Sequence, residues 1–310
     1  MKVSVVLCTH NPRLAYLQRV LDGVKRQTMT VPGWELIVVD SACHRRIESC
    51  SELTFPPGAY HIRLEQPGLA LARLAGFRRA AAPLIATLDD DTVLDHDYLE
   101  EAVGFFESHP QVGAISGRIR AEYETSPPAW IAEFGKLLAV RDLGDATLVY
   151  PENKEEALSE YPECAPMGVN VSRREAIEGY VERMMKDKAH RELGRSGQSL
   201  DSGEDNDFAL CAIKDGWSVA YVPKLNLTHL VPARRLESSY LGRLNHAASR
   251  TWIKVLRMHG ICPWPSIPPW TVLARKLKAW FTYRAWAGPA ERIRWRGACG
   301  HFEGRAGIKS

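Results

Sequence analysis

A short apolar strand that ends in three consecutive carboxylates limits what this chain can be. Pro83-Leu84-Ile85-Ala86-Thr87-Leu88 reads as a buried strand, because a continuous apolar run with β-branched residues leaves no face for water. Asp89, Asp90 and Asp91 follow at once. Three adjacent carboxylates repel one another and would be costly in a core. At the carboxyl end of a buried strand they instead reach the crevice in which open α/β sheets bind ligands. Hard oxygen donors grouped there suit Mg²⁺ or Mn²⁺, and such an ion commonly holds phosphate oxygens as well. A solvated acidic turn is the plain alternative, and the surrounding chain decides against it.

The same design occurs twice upstream. Val3 to Leu7 is a second continuous apolar run, and it stops at the polar turn Thr9-His10-Asn11-Pro12-Arg13, whose proline can open a helix. Leu14, Leu17, Val20, Leu21 and Val24 recur at helical spacing, which predicts an amphipathic helix over 13–27. Trp34 to Val39 is the next strand and ends at Asp40-Ser41. Two strands with polar carboxyl ends and a helix between them make a βαβ unit of a parallel sheet.

Further along, the pattern predicts a short strand at 61–64, a helix of small residues over 68–80, a helix over 96–107 and a strand at 112–117. Residues 120–160 read as irregular, with a helix at 130–138 and an acidic loop over 150–163. A strand at 166–172 enters a helix at 173–182, and 186–203 is a polar loop. Gly203-Glu204-Asp205-Asn206-Asp207 opens a helix that Gly216 can cap. Strands at 217–222 and 225–229 close the body, and the boundary falls near Pro232. The expected organisation is therefore an α/β body over 1–230 and a mainly helical region over 231–310.

Charge divides the chain at the same place. The overall net charge is only +3, but residues 231–310 carry 15 Lys and Arg against 3 Asp and Glu, a net of +12. Six of the nine tryptophans (252, 264, 270, 280, 286 and 295) lie there too. Cations interleaved with Trp on helices suit an anionic membrane surface. Val272, Leu273, Leu277, Trp280 and Phe281 are expected on one side of such a helix. The competing readings are packing on the body and an oligomer interface. No nucleic-acid recognition module is visible. The N-terminus lacks the length and cleavage site of a signal peptide, and nowhere do 18 apolar residues follow one another. Seven scattered cysteines without Cys-x-x-Cys spacing argue against a zinc site or a disulfide framework. They suggest a cytoplasmic protein, with the basic region allowing peripheral contact with a membrane.

Taken in order, five elements of residues 3–230 resemble the family 2 glycosyltransferases, which have the GT-A fold. They are Val5-Val6-Leu7-Cys8-Thr9-His10-Asn11-Pro12-Arg13, Val38-Val39-Asp40-Ser41, Gly68-Leu69-Ala70-Leu71-Ala72-Arg73, Leu88-Asp89-Asp90-Asp91 and Gly203-Glu204-Asp205. The resemblance implies metal-dependent, inverting transfer of a sugar from a nucleotide diphosphate sugar, UDP first among the carriers, to a hydroxyl on a lipid-linked or cell-envelope glycan. It implies Mn²⁺ or Mg²⁺ on Asp91, with Asp89 on the ribose or the metal's waters and Asp90 between these roles. His229 follows as a third metal ligand or as an ordinary polar residue at a strand end. Thr9, Asn11, Arg13 and Asp40 would hold the nucleoside, and Arg73 the diphosphate or its sugar. Asp205 would take the acceptor's proton, with Glu204 beside it contacting the acceptor or a neighbouring backbone, and Asn170 would bind the acceptor where the acceptor loop crosses the donor sugar.

Three departures stand out. His10 replaces the more usual aromatic residue, Ser-Ala-Cys follows Asp40, and the Gln-x-x-Arg-Trp signature of processive members is missing, which suggests transfer of a single sugar. The rival readings are a sugar nucleotidyltransferase, which would need a Gly-rich phosphate loop after the first strand, and a catalytically silent sugar- or lipid-binding scaffold.

Overall fold

The structure, a computed structural model, describes residues 1–151, 158–195 and 199–308. β1 (Val3–Thr9) and β2 (Trp34–Ser41) are buried almost throughout, with α1 (Leu14–Lys25) crossing between them. They pair in parallel, so that Thr9 lies opposite Asp40. β3 (Tyr60–Leu64) extends the sheet beyond β2. α2 (Leu69–Arg79) leads into β4 (Leu84–Asp89), which runs parallel to β1 on its other side and brings Cys8 level with Asp89.

Strands buried on both faces send alternate side chains into two different layers. Val3, Val5 and Leu7 pack with Leu17, Val20 and Leu21 of α1, whereas Val6 and Cys8 pack with Ala72 and Phe77 of α2. Each such fully buried Leu or Val contributes about 1.5–3 kcal/mol relative to exposure.

After the acidic turn, β5 (Thr92–Leu94) precedes α3 (Tyr98–Ser108), and β6 (Val112–Tyr123) follows. β7 (Leu148–Tyr150) and β8 (Val171–Arg173) are short. α4 (Arg174–Lys186), the single turn α5 (Lys188–Arg191) and α6 (Glu204–Lys214) then lead to β9 (Ser218–Val231). Among the described residues, nine strands form one mixed sheet in the order β3-β2-β1-β4-β8-β6-β9-β5, with β7 also on β9.

Several sequence expectations need correction here. The strand expected at 112–117 continues to Tyr123, and the two expected at 217–222 and 225–229 are one. β6 and β9 run side by side, and their register jumps from Ser116–Tyr221 to Arg118–Asn226. The extra residues of β9 bulge there and absorb Pro223, which has no N–H to give to a ladder. The segment Ala129–Leu138 is 3₁₀ in type, and the strand expected at 166–172 is instead the short Val171–Arg173, which overlaps it only at Val171 and Ser172. Of the acidic stretch and the polar loop, residues 152–157 and 196–198 lie outside the described residues.

β9 is followed by a 3₁₀ turn (Ala233–Leu236), α7 (Ser238–Met258), α8 (Val272–Thr282) and α9 (Pro289–Ala306). α7 and α9 run parallel, with Gly297 against Asn245, Gly300 against His246 and Gly304 against Arg250 and Ile253. α8 folds back along α9, Trp280 edge-on to Trp295 at 4.8 Å and Lys276 Nζ 2.5 Å from Glu303. Val272 and Ala279 are buried in this contact. The expectation that Val272 and Trp280 share an outer face with Leu273, Leu277 and Phe281 is therefore wrong, because the helix turns those two inward. Leu236, Leu241 and Leu244 pack with Ile293 on Ile131, Phe134 and Leu138 of the body. No described helix is long and apolar enough to cross a membrane.

Candidate active site

Each carboxylate of the acidic turn has a different neighbour. Thr9, at the end of β1, donates its hydroxyl proton to Asp90 Oδ2 at 2.5 Å. Burial first, and then the Asp91 charge, push the Asp90 carboxyl upward, against the Thr9 hydrogen bond. Asp91 moves the other way: burial would raise it, but the Arg235 guanidinium, 2.9 Å from Asp91 Oδ2, opposes that and holds it well below the usual range. β5 and β9 are antiparallel with Thr92 opposite His229, which is how a histidine so distant in sequence reaches this turn.

The geometry of His229 suits a metal ligand. Its Nδ1 lies 2.8 Å from the Leu138 carbonyl oxygen, so that nitrogen carries the proton and Nε2 keeps its lone pair. Nε2 is 3.5 Å from Asp91 Oδ2. An imidazole nitrogen beside carboxylate oxygens is a donor set that fits Mn²⁺ or Mg²⁺. Between them sits Arg235, one of the cations of the basic region. Arg235 donates from Nη1 to His229 Nε2 at 2.9 Å, and its Nη2 is 2.9 Å from Asp91 Oδ2.

A second group of charges forms around Arg73 at the start of α2. Arg73 is buried, and its Nη1 lies 2.5 Å from both Asp205 Oδ1 and Glu204 Oε1, while Nη2 is 3.8 Å from Asp89. A surface arginine on an Ala-rich helix is thereby excluded. Asp205 also accepts the Gly168 N–H at 2.9 Å. Gly168 has φ +61°, a backbone region costly for residues with a Cβ, so glycine is what allows that N–H to face the carboxylate. The Asp205 side chain retains 22% exposure, against 7% for Glu204.

Glu204 and Asn170 are both engaged within the protein beside Asp205. Glu204 lies beneath Arg73 and against Gly194, where burial pushes its carboxyl up while Arg73 opposes the shift. It is placed to hold Arg73. Asn170 is buried, donating to the Gly168 carbonyl and accepting from Ser172, so it shapes the Gly168 turn behind Asp205.

Of the residues expected on the nucleoside, Asn11 lines an open cleft of about 230 Å³, together with Pro12, Cys43, His44, Arg45 and Ile47. Asn11 Oδ1 accepts the His44 N–H at 2.8 Å, which joins the two strand-end loops. Asp40 is already engaged: it accepts from the Cys43 and Ile47 N–H groups and from Arg63 at 2.7 Å. Burial raises its carboxyl, and these bonds more than reverse the shift. Asp40 thus folds the wall of the cleft. Arg13 turns away to Glu124 at 2.8 Å. Arg63 and Arg235 were missed because each acts through a partner that only the fold brings near; the lone hint was an Arg-Arg pair just after the last strand.

Among the described residues one further cluster could hold a metal: His190, Asp207 and Cys211. The buried Asp207 is already satisfied by His190 Nδ1 at 2.6 Å and His259 Nε2 at 2.7 Å, so it reads as a structural link under α6.

The sequence pattern that defines Glycosyl transferase family 2 matches residues 4–167, more than half of the chain. The chain belongs to this family. As a family 2 glycosyltransferase it has the GT-A fold. It aligns with the crystal structure of S. aureus TarS 1-349 in complex with UDP at a TM-score of 0.51, covering 98% of this chain and 90% of that one at 13% identity. A relative from Haloferax volcanii, described as a glucosyl-dolichyl phosphate glucuronosyltransferase, is 24% identical over 136 residues. That match spans 43% of this chain and 43% of the relative, less than half of either.

Proposed function

We propose that this glycosyltransferase moves one sugar, with inversion, from a nucleotide diphosphate sugar to a hydroxyl group, with a divalent ion held by Asp91, Asp89 and His229. The observation that carries this reading is that the acidic turn, in which Asp91 lies 3.5 Å from His229 Nε2, adjoins the Arg73-held Asp205 through Asp89, 3.8 Å from Arg73. A bound Mn²⁺ or Mg²⁺ would neutralise charge on the departing diphosphate. Asp205 receives the acceptor proton at its carboxylate, oriented for this by the Arg73 guanidinium and the Gly168 N–H. Once the donor is bound, the Arg73 charge also faces the leaving group, beside Asp89. The cleft beside Asn11 and Cys43 is open to a nucleoside.

UDP is the first carrier to test, since the TarS structure that shares this fold holds UDP. A lipid-linked acceptor is favoured by the relative named for a glucosyl-dolichyl phosphate. A silent scaffold would have no use for a carboxylate oriented as Asp205 is.

Calorimetric titration of nucleoside diphosphates with and without Mn²⁺ tests the reading. Metal-dependent binding of one nucleotide, lost in Asp91→Ala, is expected. Asp205→Asn should keep that binding and lose transfer by a factor of about 10²–10⁴. Binding of no nucleotide under either condition would remove the transfer mechanism.

A further inference from the structure

The outer face of α8 and its flanking turns is apolar, exposed and unpartnered. Trp270 is 83% exposed, Leu273 79%, Leu277 60%, Phe281 61% and Trp286 51%. Leu273, Leu277 and Phe281 recur every four residues and so form one stripe along the helix. Arg284, at φ +50°, turns the chain back so that the Trp286 ring lies 5.8 Å from Phe281 and lengthens the stripe. Single exposed apolar residues are unremarkable, but five large ones in a row are not.

Charge identifies the occupant. Arg275, Lys278 and Arg284 flank the stripe, are exposed and form no ion pair with a described residue. Lys276, on the other side, is paired with Glu303. No Asp or Glu occurs between Glu237 and Glu291, while Lys and Arg occur there repeatedly. A two-fold contact through this face would set those cations against their own copies, which disfavours a second protein molecule as occupant. An anionic lipid surface accepts both features, with Trp and Phe at headgroup depth and the cations on the phosphates.

We infer that α8 lies flat in the interface of an anionic bilayer, inserted through Trp270, Leu273, Leu277, Phe281 and Trp286. The orientation follows from the packing. Just beyond Trp286 the chain enters α9, where Ala290 and Ile293 join the cluster that contains Leu138 and Leu236. Leu138 holds His229 and Leu236 adjoins Arg235, so the Trp286 end of the stripe is the end nearest the acidic turn. A bilayer at this face would therefore meet the protein with the Trp286 end of α8 toward the acidic turn. The inference stands independently of the transfer mechanism, because contact with lipid needs neither donor nor metal.

Flotation of the full chain with vesicles tests it. Binding to phosphatidylcholine vesicles that contain phosphatidylglycerol is expected, together with weaker binding to phosphatidylcholine alone and a loss with added salt. The pair Leu277→Ser and Phe281→Ser should weaken binding at least about tenfold while nucleotide binding stays unchanged. Arg275→Glu with Lys278→Glu, which leaves the apolar stripe intact, should reduce binding to the anionic vesicles alone. Failure to float with anionic vesicles would overturn the inference, as would equal binding by the serine variant. So would a dimer in sedimentation that the serine substitutions convert to monomer, since a second copy would then be the occupant.

Discussion

Arg235 uses the same lone pairs at Asp91 and His229 that a divalent ion would need. A guanidinium and a doubly charged ion cannot share them, because like charges a few ångströms apart in a partly buried site repel strongly. Replacing the cation by a neutral side chain should therefore favour the metal. Arg235→Gln is expected to bind Mn²⁺ several-fold more tightly than the wild type in the absence of any nucleotide, as read by electron paramagnetic resonance of the free ion. Unchanged affinity would mean that the guanidinium is no competitor. This contact also marks a limit of what residue patterns reveal. The acidic turn was legible because a buried strand and its carboxylates are adjacent in sequence, and so was the motif that contains Asp205. The directions of Glu204, Asn170 and Asp40 were not. Whether a carboxylate faces a cleft, an arginine or a backbone turn is decided by elements that meet only in the fold.

At the scale of elements, the contact between α7 and α9 depends on what one face of α9 lacks. A methyl group at Gly300 would fall on the carbonyl oxygen of His246, which is backbone and cannot rotate away. Alanine has the better helix propensity, by about 1 kcal/mol. At Gly300 the steric cost of separating two helices, about 1–3 kcal/mol, should exceed that gain. At Gly104 in α3, where nothing lies within 4 Å of an added Cβ, the propensity should act alone. Urea unfolding should thus find Gly300→Ala less stable than wild type and Gly104→Ala more stable, by up to about 1 kcal/mol. The extent of β6 and β9 was hidden for a related reason: Pro223 reads as a break in any local window, and only the bulge that pairing permits makes it one strand. α1, whose apolar residues recur at helical spacing, lay close to where the pattern put it, and so did α2 and α6, which small residues and end signals marked instead.

At the scale of the molecule, Asp207 joins three parts of the chain, since its carboxylate receives His190 from α5 and His259 from the end of α7. Burial would raise this carboxyl, and the two imidazole bonds outweigh that and depress it. A depressed carboxyl stabilises the fold above its unfolded pKa, about 4, and that contribution is lost as pH falls through the folded value. Asp207→Asn should consequently be less stable than wild type at pH 7, by about 1–3 kcal/mol in chemical unfolding. The difference should shrink below about pH 4. A gap that does not change with pH would mean that the carboxylate charge has no part in it.

α7 begins just after the arginine that reaches Asp91 and ends at the histidine that holds Asp207, two residues from Asp205. The helical part of the chain is therefore not portable. A chimera spliced at the end of β9 between this protein and a relative would exchange a guanidinium in one half of the cleft and an imidazole under the other, however well the two sheets matched.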